Sequence, residues 1–142
     1  MRIGLIGLGK MGANMRERLR RRGVEVVGLD HNQAISDATD EADLVAKLGD
    51  GPRVVWLMVP IQAVTPLVET LRPLLGAGDI VIDGGNSKWT HDARHASYLG
   101  EAGIHFLDVG TSGGVWASRT VTPSCAVARR RPSRSPCRCS TP

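Results

Sequence analysis

Three glycines at fixed spacing follow a short apolar run at the start of the chain. The run is Ile3-Gly4-Leu5-Ile6, and the glycines belong to Gly7-Leu8-Gly9-Lys10-Met11-Gly12. This order predicts a strand, a tight turn and a helix. Gly7 permits the turn, Gly9 leaves the backbone open to a close neighbour, and Gly12 lets the helix lie against the strand. The chain is therefore predicted to begin with the β-α unit of a parallel sheet.

A carboxylate at the end of the next apolar run favours a dinucleotide site. Asp30 closes the run Val24–Leu29, 18 residues after Gly12. The amides that begin a helix after such a turn attract phosphate groups. An acidic residue at about this distance is placed to meet the ribose hydroxyls of a bound dinucleotide. The alternative is an ordinary glycine-rich turn between a strand and a helix, and Asp30 makes the dinucleotide interpretation the stronger one.

Strands and helices are predicted to alternate along the rest of the chain. The first helix should run from about Lys10 to Arg22, with Met11, Met15 and Leu19 as its buried stripe and Gly23 as its C-cap. Further strands are predicted at 54–59, 79–82 and 104–107, and further helices at 40–48, 61–75 and 88–101. This alternation predicts an α/β fold with a doubly wound parallel sheet and right-handed crossovers.

Charge divides the 142 residues into two unlike parts. Residues 1–108 hold 12 Lys and Arg and 14 Asp and Glu, so their net charge is −2. Residues 109–142 hold six Arg and no acid, so the whole chain has a net charge of +4.

The length of the chain suits one domain with a core of its own. No apolar run is long enough to span a bilayer and no signal peptide is apparent, so a cytoplasmic location is expected.

The last two predicted strands end in polar, glycine-rich segments. Strand four runs into Asp83-Gly84-Gly85-Asn86-Ser87, and strand five into Asp108-Val109-Gly110-Thr111-Ser112-Gly113-Gly114-Val115-Trp116. Ligands bind at the carboxyl ends of strands in such sheets. Asn86 offers both a donor and an acceptor, and Ser112-Gly113-Gly114 offers a hydroxyl and accessible amides. Either segment alone could be a simple turn, but together they favour a substrate and nicotinamide pocket.

With Leu57-Met58-Val59-Pro60, these motifs make residues 1–116 resemble the N-terminal domain of the decarboxylating 6-phosphogluconate dehydrogenases, in their shorter bacterial branch. The resemblance implies a Rossmann-like fold and a family that oxidises and decarboxylates 6-phosphogluconate to ribulose 5-phosphate in the pentose phosphate pathway. It implies homo-oligomers formed through a domain absent here. No metal site and no catalytic residue is predicted in this chain.

The resemblance also implies which residues bind cofactor and substrate. The cofactor residues would be Gly7, Leu8, Gly9, Lys10, Met11, Gly12, Asp30, His31, Asn32, Val59, Pro60, Ile61 and Asn86, and the substrate residues Asn86, Ser112, Gly113 and Gly114. A carboxylate at Asp30 accepts hydrogen bonds from the 2′-hydroxyl of NAD and repels the 2′-phosphate of NADP. NAD is therefore favoured over NADP. His31 is expected to be an exposed loop residue rather than a phosphate ligand.

After Trp116 the chain departs from the family pattern. Residues 117–142 are rich in Arg, Pro, Ser and Cys, and a disordered tail without strand or helix periodicity is expected. Codons can be chosen for which one added base after Trp116 restores a family-like continuation, so residues 117–142 are interpreted as out of frame. A basic arm for nucleic acid is one alternative. Zinc binding by Cys125, Cys137 and Cys139 is the other, but their spacing matches no usual site.

The departure also affects the expected activity. The family's catalytic lysine lies beyond Trp116, and Lys10, Lys47 and Lys88 are not credible replacements at their predicted positions. A general base must lie within hydrogen-bond reach of the proton that it removes. The chain is therefore expected to bind a dinucleotide without turnover. A dehydrogenase and a non-catalytic nucleotide-binding remnant are the two function classes that remain.

Overall fold

The computed structural model describes residues 2–85 and 89–110 and the backbone strand at 125–127, with only the backbone for 89–92. The strands are β1 Arg2–Ile6, β2 Glu25–Leu29, β3 Val54–Leu57, β4 Ile80–Asp83, β5 His105–Gly110 and β6 Cys125–Val127. The helices are α1 Lys10–Arg21, α2 Glu41–Leu48, α3 Ile61–Leu71 and α4 Trp89–Gly100, with a 3-10 turn at Gln33–Ile35.

The sheet has the strand order β2-β1-β3-β4-β5-β6, and its first five strands are parallel. The chain moves from β1 outward to β2 and then crosses β1 to form β3 on its other side. This reversal is the topological switch point of a doubly wound sheet. The predicted α/β fold of Rossmann type is confirmed, and the strands differ from the predicted bounds by at most three residues at either end.

Two apolar layers cover the sheet. The larger layer joins α2, α3 and α4 to the strands and includes Leu44, Val55, Leu57, Val68 and Leu99. The smaller layer lies under α1, where Leu5, Leu8 and Val26 pack with Leu19, Val24, Trp56 and Met58. A parallel sheet needs apolar cover on both faces, which explains its near-continuous Val, Ile and Leu strands.

The first helix ends and packs in ways that the sequence predicted only in part. Gly23 has a φ of +78°, its amide donates to the Arg20 carbonyl, and the Val24 amide donates to the Leu19 carbonyl, which together form a Schellman cap. Met15 and Leu19 are half-buried as part of the inner stripe. Met11 is 36% exposed, so its expected burial was wrong. It lies in the first turn of α1, at the carboxyl edge of the sheet.

The short strand β6 falls in the segment expected to lack regular structure. Cys125–Val127 pairs antiparallel with β5, with Cys125 opposite Gly110. At these three residues the structure therefore differs from that expectation. The outer edge of β5 presents amides and carbonyls that any extended segment can pair with.

Candidate cofactor site

Backbone hydrogen bonds hold four strand ends in register at the carboxyl edge. The Gly7 amide donates to the Leu29 carbonyl at 2.8 Å and the Met58 amide to the Ile6 carbonyl at 2.7 Å. The Gly84 amide donates to the Leu57 carbonyl at 2.9 Å. The glycine turn, Asp30, the segment 58–60 and the segment 83–85 therefore lie along one edge, as the sequence predicted.

The three glycines of the turn differ in whether a side chain would fit at their positions. Gly7 has a φ of +93°, and a Cβ there would lie 2.5 Å from the Met58 carbonyl oxygen. A Cβ on Gly12 would overlap the Gly7 carbonyl oxygen. Gly9 has an ordinary φ of −59°, and apart from its two neighbours in sequence no described residue has an atom within 4 Å of the place of its Cβ. The fold itself therefore requires Gly7 and Gly12, whereas Gly9 leaves open space beside the turn.

The start of α1 is not capped by a side chain. Its N-cap is Gly9, which makes no side-chain hydrogen bond, and its first turn holds no acidic residue. By contrast, Asp40 caps α2 through a 2.8 Å bond from the Asp43 amide. A helix start without a capping side chain leaves amides for an anion, with the positive end of the helix dipole behind them. Together with the open space at Gly9, this geometry fits a pyrophosphate.

Asp30 lies beside the turn with a side chain that is only 6% exposed. Its Oδ2 accepts the Leu8 amide at 2.6 Å, and its Oδ1 accepts the Asn32 amide at 2.9 Å. Burial by itself raises the pKa of Asp30, but these two amides and nearby His31 together lower it below its ordinary value. The carboxylate is therefore ionised at neutral pH.

The residues after Asp30 form a loop that folds back onto β2. The side chain of His31 is 97% exposed, with Nδ1 2.9 Å from Asp30 Oδ1. The Asn32 side chain accepts the Ala34 amide at 3.1 Å. The prediction that His31 is an exposed loop residue is confirmed, and Asn32 begins the 3-10 turn.

Sequence reasoning missed the residues that fasten this loop. Ser36 Oγ accepts the Asp30 amide at 3.0 Å, and Asp37 Oδ2 accepts the Gly28 amide at 2.8 Å. Arg20 reaches the same Asp37 oxygen at 2.6 Å and the Val26 carbonyl at 2.7 Å. These contacts supply hydrogen-bond partners to backbone groups along the outer edge of β2. The only sequence signal was a cluster of Ser and Asp in a polar stretch, which is typical of turns.

The third and fourth strand ends contribute mainly apolar surface and a tight turn. Val59 and Ile61 are half-buried and Pro60 is exposed at the start of α3. A Cβ on Gly84 would overlap Trp56 Nε1, so this glycine is required for packing. Asp83 is fully buried and accepts the Gly85 amide at 2.8 Å. Asn86, Ser112, Gly113 and Gly114 lie outside the described residues, so their predicted roles stay predictions.

The described residues show two further negative findings. None of their helices is long and apolar enough to cross a membrane. Across the side chains described at 2–85 and 93–110, no group of three or more His, Cys, Asp and Glu could hold a metal ion.

A doubly wound sheet with a glycine turn, an open helix start and a buried carboxylate at its switch point defines an NAD(P)-binding domain. A sequence profile described as the NAD binding domain of 6-phosphogluconate dehydrogenase matches residues 2–129. The chain belongs to this family. The match continues past Trp116, where the motif resemblance ended.

Relatives from two organisms are similar over most of the chain. An NAD(+)-dependent, decarboxylating 6-phosphogluconate dehydrogenase of Haloferax volcanii is 42% identical over 124 residues, which cover 80% of this chain and 40% of that protein. The Bacillus subtilis enzyme of the same name is 35% identical over 126 residues, covering 79% of this chain and 27% of that protein. The chain therefore spans well under half the length of these relatives.

Solved structures share the fold. Plasmodium falciparum 6-phosphogluconate dehydrogenase superimposes with a TM-score of 0.73 at 24% identity, over 89% of this chain and 30% of that one. A Mycobacterium tuberculosis 3-hydroxyisobutyrate dehydrogenase superimposes with a TM-score of 0.69 at 22% identity, over 80% of this chain and 41% of that one.

Proposed function

We propose that this chain binds NAD as the cofactor-binding part of a dehydrogenase that oxidises and decarboxylates 6-phosphogluconate in the pentose phosphate pathway. The observation that carries the proposal is the start of α1 at Gly9, which no side chain caps and which has open space beside it. Bound NAD would accept hydride from the substrate. The first-turn amides of α1 would hold the pyrophosphate of NAD and so orient the cofactor.

NAD is the preferred cofactor in this proposal. Asp30 is negatively charged at neutral pH and lies at the end of β2, where the 2′-phosphate of NADP would bring like charges together. The names of the Haloferax volcanii and Bacillus subtilis relatives support the same preference, since both are called NAD(+)-dependent.

Calorimetric titration of the full chain with NAD and NADP tests the proposal. NAD should bind more tightly than NADP. Gly9→Ala should weaken NAD binding about tenfold or more, because the new Cβ occupies the space left for the pyrophosphate. The matched control is Asp40→Ala, which uncaps α2 and should leave the affinity unchanged. Undetectable NAD binding by the wild-type chain would contradict the proposal.

We further propose that this chain does not catalyse the oxidation of 6-phosphogluconate. Among the described lysines, Lys47 donates to Asp43 at 2.7 Å and to the Asp37 carbonyl at 2.8 Å on the face of α2, and Lys10 begins α1. In this proposal neither lysine is the base that removes the proton from the substrate hydroxyl. Incubation with 6-phosphogluconate and NAD should give no reduced nicotinamide, and a steady rate would contradict this.

The boundary after Trp116 belongs to the same proposal: residues 1–116 form the domain, and residues 117–142 are read out of frame. The change from mixed charge to Arg without acid supports it. Sequencing of the gene from its source should show one base missing after the Trp116 codon. An intact frame would refute the boundary and leave the cofactor site unaffected.

A further inference from the structure

An arginine of α1 reaches across β2 to the loop that follows this strand. Arg16 Nη1 donates to the Ile35 carbonyl at 2.8 Å. A Cβ on Gly28 would lie 3.2 Å from the same nitrogen, so the guanidinium lies directly over the strand. Gly28 precedes Asp30 by two residues, which is about 7 Å along a strand. The Arg16 charge is therefore a near neighbour of the place where the proposed cofactor would have its adenosine ribose.

One carboxylate lies between Arg16 and a second arginine of α1. Asp37 Oδ2 accepts Arg20 Nη2 at 2.6 Å and the Gly28 amide at 2.8 Å, and Arg16 Nη1 lies 3.7 Å from the same oxygen. Two guanidinium groups and one carboxylate give this cluster a net positive charge, which would double without Asp37. The Arg16 side chain is only 20% exposed, so water screens its charge less than that of a fully exposed side chain.

We propose that Asp37 is a specificity-determining residue for the 2′ position of the adenosine ribose: by neutralising one of two guanidinium charges, it keeps the Arg16–Asp37–Arg20 cluster from attracting a 2′-phosphate. The inference rests on the proposed NAD site. It adds a second carboxylate, on the far side of the loop, to the charge at Asp30. A 2′-phosphate carries about two negative charges at neutral pH, so it responds strongly to the charge of the cluster, whereas the neutral hydroxyl of NAD does not.

A purely structural role for Asp37 leads to a different expectation. Asp37 also fastens the loop, because its carboxylate accepts the Gly28 amide and its own amide donates to the Gly28 carbonyl at 2.7 Å. A loosened loop would weaken NAD and NADP by the same factor, since the two cofactors differ only in the 2′-phosphate. The ratio of the two affinities therefore isolates the effect of charge.

Calorimetric titration of the full chain with NAD and NADP measures this ratio. Asp37→Asn removes the charge but keeps an oxygen that can accept the Gly28 amide. It should raise the affinity for NADP relative to NAD by about three- to tenfold, and the gain should shrink as the salt concentration rises. Arg16→Gln removes a positive charge from the same cluster and should lower the relative affinity for NADP by a similar factor.

Glu101→Gln is the matched control. Glu101 is an exposed carboxylate that also pairs with an arginine, Arg72, at 3.2 Å, but this pair joins the helices α3 and α4 on the other face of the sheet. Its loss removes the same charge from a place remote from the loop after β2. The ratio of the NAD and NADP affinities should therefore stay at its wild-type value.

An unchanged or lowered relative affinity for NADP in Asp37→Asn would overturn the inference, and so would NADP binding that stays undetectable in this variant. If Asp37→Asn fails to fold, Arg16→Gln decides, because an unchanged or raised relative affinity for NADP contradicts a role of the cluster's charge. Normal NAD binding with an unchanged ratio would contradict this inference alone. Undetectable NAD binding by the wild-type chain would contradict the proposed function, and the inference with it.

Discussion

Buried aspartates at the two edges of the sheet share one chemistry but differ in what surrounds them. Asp79 precedes β4, accepts the amides of Arg53 and Gly76 at 2.8 Å, and pairs with the Arg53 guanidinium at 2.8 Å. Asp30 follows β2 and accepts two amides, but within the described residues its carboxylate lies beside the exposed His31 imidazole and pairs with no guanidinium.

The difference separates a carboxylate that stabilises the fold, Asp79, from one that lies beside the candidate cofactor site, Asp30. At the amino edge the charge of Asp79 is neutralised within the fold, and Gly78 and Gly103 complete the turns with positive φ. At the carboxyl edge the open space at Gly9 and the uncapped start of α1 remain beside Asp30. A closed edge stabilises the sheet, and an open edge can bind a ligand. Variants at each edge should therefore affect different measurements.

Gly12→Ala should have the largest effect, because it acts on both stability and binding. The new Cβ overlaps the Gly7 carbonyl oxygen, so α1 must move away from the turn. We expect a loss of about 3 kcal/mol in the free energy of unfolding, measured by urea denaturation, and loss of NAD binding. Gly9→Ala is the matched control, with open space around the added methyl and a change within about 0.5 kcal/mol. Equal destabilisation by the two variants would contradict this account of the turn.

Asp79→Ala should destabilise without changing affinity. It leaves the Arg53 guanidinium and two amides without their acceptor, at an expected loss of about 3 kcal/mol in the free energy of unfolding. The measurement is urea denaturation, followed by NAD titration at a temperature where the variant is folded. A weaker NAD affinity under those conditions would show that the two edges are coupled.

Acid should destabilise the fold through both aspartates. Burial raises the pKa of Asp79, but the Gly76 and Arg53 amides and the Arg53 guanidinium together hold it below its ordinary value. The pKa of Asp30 is lowered as well. Both carboxylates then contribute stability above the unfolded pKa of about 3.9, which is lost as pH falls through the folded values. Urea midpoints should drop below about pH 4, and the drop should be smaller in Asp79→Asn. A flat profile would contradict the lowered pKa values.

Asp40→Ala should have the smallest effect. It removes the bond from the Asp43 amide that caps α2 and should cost about 1 kcal/mol of unfolding free energy. Thermal or urea unfolding measures it. A change in NAD affinity would mean that the capped start of α2 also faces the cofactor, contrary to the contrast with α1.

Much of the fold could be predicted from local patterns. The apolar runs and helical periodicity located five strands and four helices, because buried parallel strands and amphipathic helices have distinct spacings. Met11 was placed in the buried stripe because periodicity does not reveal where a helix projects beyond the sheet. β6 was not predicted, since its pairing with the outer edge of β5 is a contact between distant residues that local periodicity does not reveal.

By itself, the sequence determined the order of strands and helices, the glycine turn and the acidic residue that follows β2, because these depend on spacing along the chain. Only the tertiary structure decided what each group contacts. It showed that a Cβ at Gly7 or Gly12 would collide with a backbone carbonyl oxygen, whereas the space beside Gly9 is open. It also turned the Asp30 carboxylate toward the Leu8 amide. The contact between Leu8 and Asp30 joins residues 22 positions apart, and its geometry exists only once β1 and β2 lie side by side. Gly7 meets the Met58 carbonyl only because β3 lies on the other side of β1.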